Sequence, residues 1–223
     1  MSFKDRVDAG RRLAHALRNF RGQEVVVLAL PRGGVPVAAE IASVLHAPLD
    51  LILVRKIGVP TQPELAMGAV VDGTNPHVVR NEDVIRLAGV SEEEFAAIRD
   101  RELVEIERRR RKFLGSRARA DVAGRVAIVV DDGIATGATI RAALQAIRSC
   151  GPKRLVLAVP VAPTDTLGEM RGEVDEIVCL EDYEAFGAIG FFYRDFRQLD
   201  DQNVIDILAR FPPEPSFGVS RGA

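Results

Sequence analysis

The chain has 223 residues, a formal net charge of −2 and only two cysteines; 47% of its residues are hydrophobic and 28% are charged. This balance excludes fibrous and low-complexity architectures and a disulfide scaffold, and it supplies no global positive field to draw the chain to nucleic acid or an anionic membrane. A full hydrophobic core can form without cross-links.

The first segment, "MSFKDRVDAGRRLAHALRNF", spaces Val7, Leu13, Ala14 and Leu17 as a helix would, with charges between them. It lacks the apolar heart of a secretory signal, and no later stretch reaches the ~18 apolar residues that a membrane span requires. The expectation is a cytoplasmic protein. "EVVVLAL" (24–30) follows, then "PRGG", a helical pattern in "VPVAAEIASVLHA" and a second apolar run, "LDLILV" (49–54). Both runs read as parallel strands buried on two faces. The Pro- and Gly-rich stretch from Arg55 to Pro63 reads as a long loop, and "GAVV" and "HVV" as short strands around the turn "DGTNP".

Residues 81–119 read as helical and highly charged, opened by the S-x-x-E box of Ser91 and Glu94 and striped by Phe95, Ile98, Ile106 and Phe113. The run "RRRRK" (108–112) suits a helix C-terminus and pairs with Glu102, Glu105 and Glu107. No aromatic residues interleave it, which argues against a nucleic-acid surface. "RVAIVV" (125–130) is a third buried strand, followed by a helix from Thr136 to Gly151. "RLVLAVPVA" (154–162), a helix near 163–170 and "VDEIVCL" (174–180) make a further strand–helix–strand unit. An amphipathic helix ends the folded part, and the Pro- and Gly-rich tail 212–223 reads as disordered. Cys150 and Cys179 read as buried free thiols, since they show neither C-x-x-C nor metal-ligand spacing. Strands alternating with helices imply an α/β fold: an open, mostly parallel twisted sheet with helices on both faces. Ligands bind such sheets beyond the carboxyl ends of the strands, where "PRGG", "RKIGVPTQPE" and "DDGIATGAT" converge.

Thr136, Gly137, Ala138 and Thr139 open a helix, where free N–H groups, hydroxyls and the positive dipole end suit a phosphate. Asp131 and Asp132 would repel that phosphate, so they address another part of the ligand: sugar hydroxyls, a magnesium ion, or both. A P-loop does not fit, because the glycine spacing is one residue short and no Lys follows. Arg32 beside Gly33 and Gly34 can bind phosphate oxygens, and Arg55 with Lys56 can cover a polyanion.

"VAIVVDDGIATGAT" resembles the phosphoribosyl-pyrophosphate (PRPP) motif of type I phosphoribosyltransferases; "LALPRGG" is similar to their pyrophosphate loop and "VRKIG" to the start of their flexible catalytic loop. The likeness spans roughly residues 24–180, in the family's order. It implies a single domain over 1–211, with a helical insertion at about 81–119. It further implies a homodimer that binds PRPP with Mg2+ and transfers its phosphoribosyl group to a nitrogenous acceptor such as a nucleobase. By position, Asp131 and Asp132 would meet the ribose hydroxyls and the metal, and Thr136 to Thr139 the 5′-phosphate. Arg32, Gly33 and Gly34 would hold pyrophosphate, in a loop that often contains an unusual cis peptide; Arg55 and Lys56 would close over the leaving group. Ala135 departs from purine-using members, which often carry Asp there. The base would be read by a hood, either 81–119 or "GFFYRDF" (190–196), in which Phe192 or Tyr193 could stack and Arg194 or Asp195 pair. The alternative for these aromatics is packing of the C-terminal helix onto the sheet. A PRPP or nucleotide sensor on the same fold, and a ribose-phosphate hydrolase or phosphorylase, are the competing functions.

Overall fold

The computed structural model describes residues 2–73 and 76–212. Strands β1 (Val25–Ala29), β2 (Leu49–Leu51), β3 (Val54–Val59), β4 (Gln62–Val71), β5 (His77–Arg80), β6 (Val126–Val130), β7 (Arg154–Pro163) and β8 (Glu176–Tyr183) form two sheets. The larger is wholly parallel, in the order β2-β1-β6-β7-β8. Helices α1 (Arg6–Ala16), α2 (Gly34–Leu45), α3 (Glu82–Ala88), α4 (Glu92–Leu114), α5 (Ala138–Ser149), α6 (Thr164–Met170) and α7 (Asp201–Leu208) complete the chain.

The central strands are apolar at every position because both faces are covered. Val25, Val27 and Ala29 of β1, with Ile128 and Val130 of β6, join a cluster with Leu13 of α1 and Ile41 of α2. Val26 and Leu28, with Ala127 and Val129, join the opposite cluster with Leu144 and Ile147 of α5. Period-2 alternation is therefore hidden in composition and visible only in which layer each side chain enters.

The expected loop 55–63 is a strand pair instead. β3 and β4 form an antiparallel hairpin, with Pro60 and Thr61 in the turn between the paired Val59 and Gln62. Pro63 falls where the register slips, and a side chain on Gly58 would meet the Pro63 carbonyl oxygen at 2.3 Å. The residues that read as loop punctuation therefore serve a bulged hairpin. With β5 it makes a three-stranded sheet, and α4 packs against it.

The capping box at Ser91 and Glu94 is present in both directions. The arginine run splits: Arg108 pairs with Glu105 and Arg111 with Glu107 on the surface, while Arg110 is buried against Asp50 and Asp72. Cys179 is partly buried but Cys150 is exposed, because it caps α5 beyond the last turn of its apolar stripe. No described helix is long and apolar enough to cross a membrane. The expected disordered tail lies outside the described residues, apart from Pro212.

Candidate active site

The order in which strands join the large sheet reverses between β1 and β6, which is where an open parallel sheet leaves a crevice. The "PRGG" loop and the "DDGIATGAT" loop leave these two neighbouring strands, and Leu30 N–H donates to the Val130 carbonyl at 2.9 Å at their exit. The Pro31–Arg32 peptide bond is cis, the feature expected of this loop. Gly33 has φ −61°, a conformation open to any residue. Its glycine is required by contact instead: a Cβ there would stand 2.1 Å from Asp132 Oδ2, and one on Gly34 would stand 2.6 Å from the Val130 carbonyl oxygen. Gly33→Ala is therefore expected to push the Asp132 carboxylate aside. Overpacking of this kind costs about 1–3 kcal/mol, or roughly 2–4 °C of thermal midpoint per kcal/mol in a chain this size. Calorimetry of the variant checks it; an unchanged midpoint would show that the two loops part freely.

The two acids occupy different environments. Asp131 Oδ1 accepts the Asp132 N–H at 2.8 Å. Burial and the adjacent Asp132 charge push the Asp131 carboxyl well above the usual carboxylate range. Asp132 is also raised by burial, but Arg6 opposes the shift. Arg6 Nε donates to Asp132 Oδ2 at 2.7 Å, with each side chain only 11% exposed. The same guanidinium donates to the Arg197 carbonyl at 3.0 Å and lies 3.8 Å over the Phe196 ring. Tyr193 OH donates to the Asp132 main-chain carbonyl at 2.6 Å. Asp132 is thus clamped on its side chain from residue 6 and on its backbone from residue 193.

Downstream, Gly137 has φ +76°, which favours glycine, and a Cβ there would press on Met170 Cε at 2.4 Å. No side chain caps α5, and Ala135, Thr136, Ala138 and Thr139 are exposed around its first turn. This leaves free N–H groups and hydroxyls exposed at the helix start, where an anion is favoured.

The profile of the phosphoribosyl transferase domain matches residues 3–196 of this sequence. The chain belongs to the phosphoribosyltransferase family. It is 48% identical over 208 residues to two Mycobacterium tuberculosis proteins named "Putative phosphoribosyl transferase", MT0597 of strain CDC 1551 / Oshkosh and Rv0571c of strain H37Rv. That similarity covers 93% of this chain but 46% of theirs, so the chain spans less than half the length of the curated relatives it matches. Among solved structures, TT1426 from Thermus thermophilus is similar at 38% identity and a TM-score of 0.82, over 95% of this chain and 100% of that one.

Within this fold the expected site residues divide. Arg32, Gly33, Gly34, Asp131 and Asp132 meet at the β1/β6 crevice, and Ala135 to Thr139 lie on the loop that continues from the acids. Arg55 and Lys56 stand on β3 with partners of their own: Arg55 Nε reaches Glu102 of α4 at 2.7 Å, and Lys56 Nζ reaches Glu64 at 3.1 Å. Tyr193 is 2% exposed, its ring stacked on Phe196 at 4.9 Å and tilted against Phe3 at 5.4 Å. It has no open face for a base in this structure; its hydroxyl positions Asp132 instead. Packing is the correct reading of this aromatic, although it packs the N-terminal segment rather than the C-terminal helix. Arg6 escaped sequence reasoning altogether. It sits in an ordinary amphipathic helix 126 residues before its partner, and no local pattern announces the pairing.

Proposed function

We propose that the protein transfers the 5-phosphoribosyl group of PRPP to a nitrogenous acceptor such as a nucleobase, releasing pyrophosphate. The observation that carries this reading is the contact of the two motif loops at the sheet's reversal, with Asp132 lying against Gly33. That contact brings an arginine–glycine anion loop beside a carboxylate pair, on the loop that leads to an uncapped helix start. In the proposed complex the Thr136–Thr139 turn holds the 5′-phosphate, Asp131 and Asp132 accept hydrogen bonds from ribose hydroxyls, and Arg32 meets the diphosphate. Departure of pyrophosphate develops positive charge on the ribose and negative charge on the leaving oxygens. Position and electrostatics do this work without a covalent nucleophile. Arg32 stabilises the leaving charge, and Arg55 or Lys56 joins it if the β3–β4 hairpin folds over.

Among the described residues no cluster of three or more His, Cys, Asp or Glu could hold a metal by protein ligands alone. The adjacent acids do suit Mg2+, which takes one or two carboxylates and fills its shell with phosphate oxygens and water. Asp131 and Asp132 would hold it, and it would supply neutralisation of the diphosphate. Ala135 stands where an acid would assist a purine nitrogen, so proton removal from the acceptor falls to another group. The family's usual homodimer and a cytoplasmic setting belong to the same reading.

PRPP with Mg2+ at a hundred times its dissociation constant is expected to stabilise the protein by about 2.7 kcal/mol, roughly 5–10 °C. Differential scanning fluorimetry checks this, and no shift at millimolar ligand defeats the reading. A panel of bases and amines scored for PRPP-dependent pyrophosphate release then identifies the acceptor. Release of free ribose 5-phosphate without any acceptor would mark a hydrolase instead.

A further inference from the structure

Helix α4 carries a stripe that faces the site from the side. Glu102, Glu105, Arg109 and Lys112 are spaced by three, four and three residues and so share one face of the helix. Glu102 holds Arg55. At the other end of the stripe, Lys112 Nζ lies 2.6 Å from Asp201 Oδ2, and Arg32 NH1 of the "PRGG" loop lies 3.6 Å from Asp201 Oδ1. Asp201 belongs to the first turn of α7, but that helix is capped by Asp200 and Asn203, so its cap does not depend on Asp201.

Arg109 stands between these partners and, among the described residues, forms no ion pair. Its one ring contact is Phe113, 5.7 Å from the guanidinium. It is half-buried; burial first, then Arg55 and Arg32, hold its pKa below the usual guanidinium value against the opposing pull of Asp201 and Glu105. Lys112, then Arg32 and Arg109, hold Asp201 below the usual carboxylate range. Arg32 and Lys112 therefore share a single carboxylate, and Arg109 stands on the same face of α4, three residues before Lys112. A half-buried guanidinium without an ion pair is costly to keep. It becomes favourable when an anion of higher charge enters.

We propose that Arg109 and Lys112 of α4 are anion-binding residues of the site, and that Asp201 of α7 is a built-in competitor occupying Lys112 and Arg32 until the diphosphate end of a ligand displaces it. The phosphoribosyltransferase reading enters only in naming that anion. The arrangement makes α7 a latch: ligand entry exchanges an internal carboxylate for an external polyanion.

Titration calorimetry on the full chain with Mg2+ tests this, using inorganic pyrophosphate and, separately, ribose 5-phosphate. Loss of one charge-assisted contact corresponds to about a tenfold or greater weakening. Arg109→Gln is expected to weaken pyrophosphate by that much while leaving ribose 5-phosphate unchanged, and Arg109→Lys to recover part of the loss. Asp201→Asn is expected to tighten pyrophosphate several-fold, an effect that a purely structural carboxylate would not produce. Wild-type pyrophosphate affinity in Arg109→Gln, or no tightening in Asp201→Asn, overturns the proposal and leaves the phosphoribosyltransferase reading standing. Wild-type protein that binds neither probe overturns both. If Arg109→Gln does not fold, Lys112→Gln and Asp201→Asn carry the same comparison.

Discussion

Arg6→Met is expected to lower the thermal midpoint by about 6–12 °C at neutral pH. Removing one partner of a buried ion pair leaves the other charge uncompensated, a loss of about 3–5 kcal/mol. The lower figure applies here because both side chains keep 11% exposure. At roughly 2–4 °C per kcal/mol this gives the stated range. Met keeps much of the contact with Phe196, so the experiment isolates the charge from the packing. The pH dependence carries the stronger test. Burial already raises the Asp132 carboxyl, and Arg6 is the main opposing influence. Without Arg6 the folded protein holds that proton more tightly than the unfolded chain, whose Asp titrates near ~3.9. Between the unfolded value and the higher folded one, the folded state binds more protons, so the variant loses stability as pH rises. The gap to wild type should be narrow near pH 4 and wide near pH 7. Adding Asp132→Asn to Arg6→Met should recover most of the loss at neutral pH. A gap of equal size at both pH values would mean that Arg6 matters through packing and its bond to the Arg197 carbonyl, not through its charge.

The same pair shows what a sequence can and cannot disclose. β1, β6 and α5 were legible because their signals are local: a β-branched run, two acids, then small residues opening an amphipathic helix. The motif loops were legible for the same reason, since "PRGG" and "DDGIATGAT" each carry their chemistry within a few residues. The β3–β4 hairpin was not, because Gly58, Pro60 and Pro63 are loop formers by propensity. Only the partner strand and the bulge at Gly58 make them useful. Tyr193 illustrates the opposite error: an aromatic beside Arg and Asp suggests base recognition, but Phe3 and Phe196 from both ends of the chain cover its ring. Arg6, Tyr193 and Asp201 act through contacts with distant parts of the chain, and separation of that kind leaves no periodicity to read.

Asp131→Asn should separate folding from function at a single atom. The free variant is expected to melt a few degrees above wild type near pH 7.5, and that gain should fade toward pH 4. The Asn side chain has the same shape and keeps an Oδ1 to accept the Asp132 N–H, the bond seen at 2.8 Å. It removes a charge that burial and Asp132 both disfavour. The sign follows from linkage: a carboxyl raised in the folded state loses stability as pH climbs from its unfolded value through its folded one, and an amide has no such loss. Ligand binding should move the other way. A charge-assisted hydrogen bond is worth about 1.5–3 kcal/mol, so PRPP with Mg2+ should bind roughly 10- to 150-fold more weakly and protect correspondingly less. Melting curves at two pH values, with and without ligand, measure both effects in one series. A variant less stable than wild type near pH 7.5 would mean that the Asp131 charge supports the fold. Undiminished protection by PRPP would defeat the proposed contact between Asp131 and the ribose. If both expected shifts appear, the repulsion between Asp131 and Asp132 is a cost the fold bears so that two acceptors face one sugar, the exchange of stability for activity that binding sites commonly make.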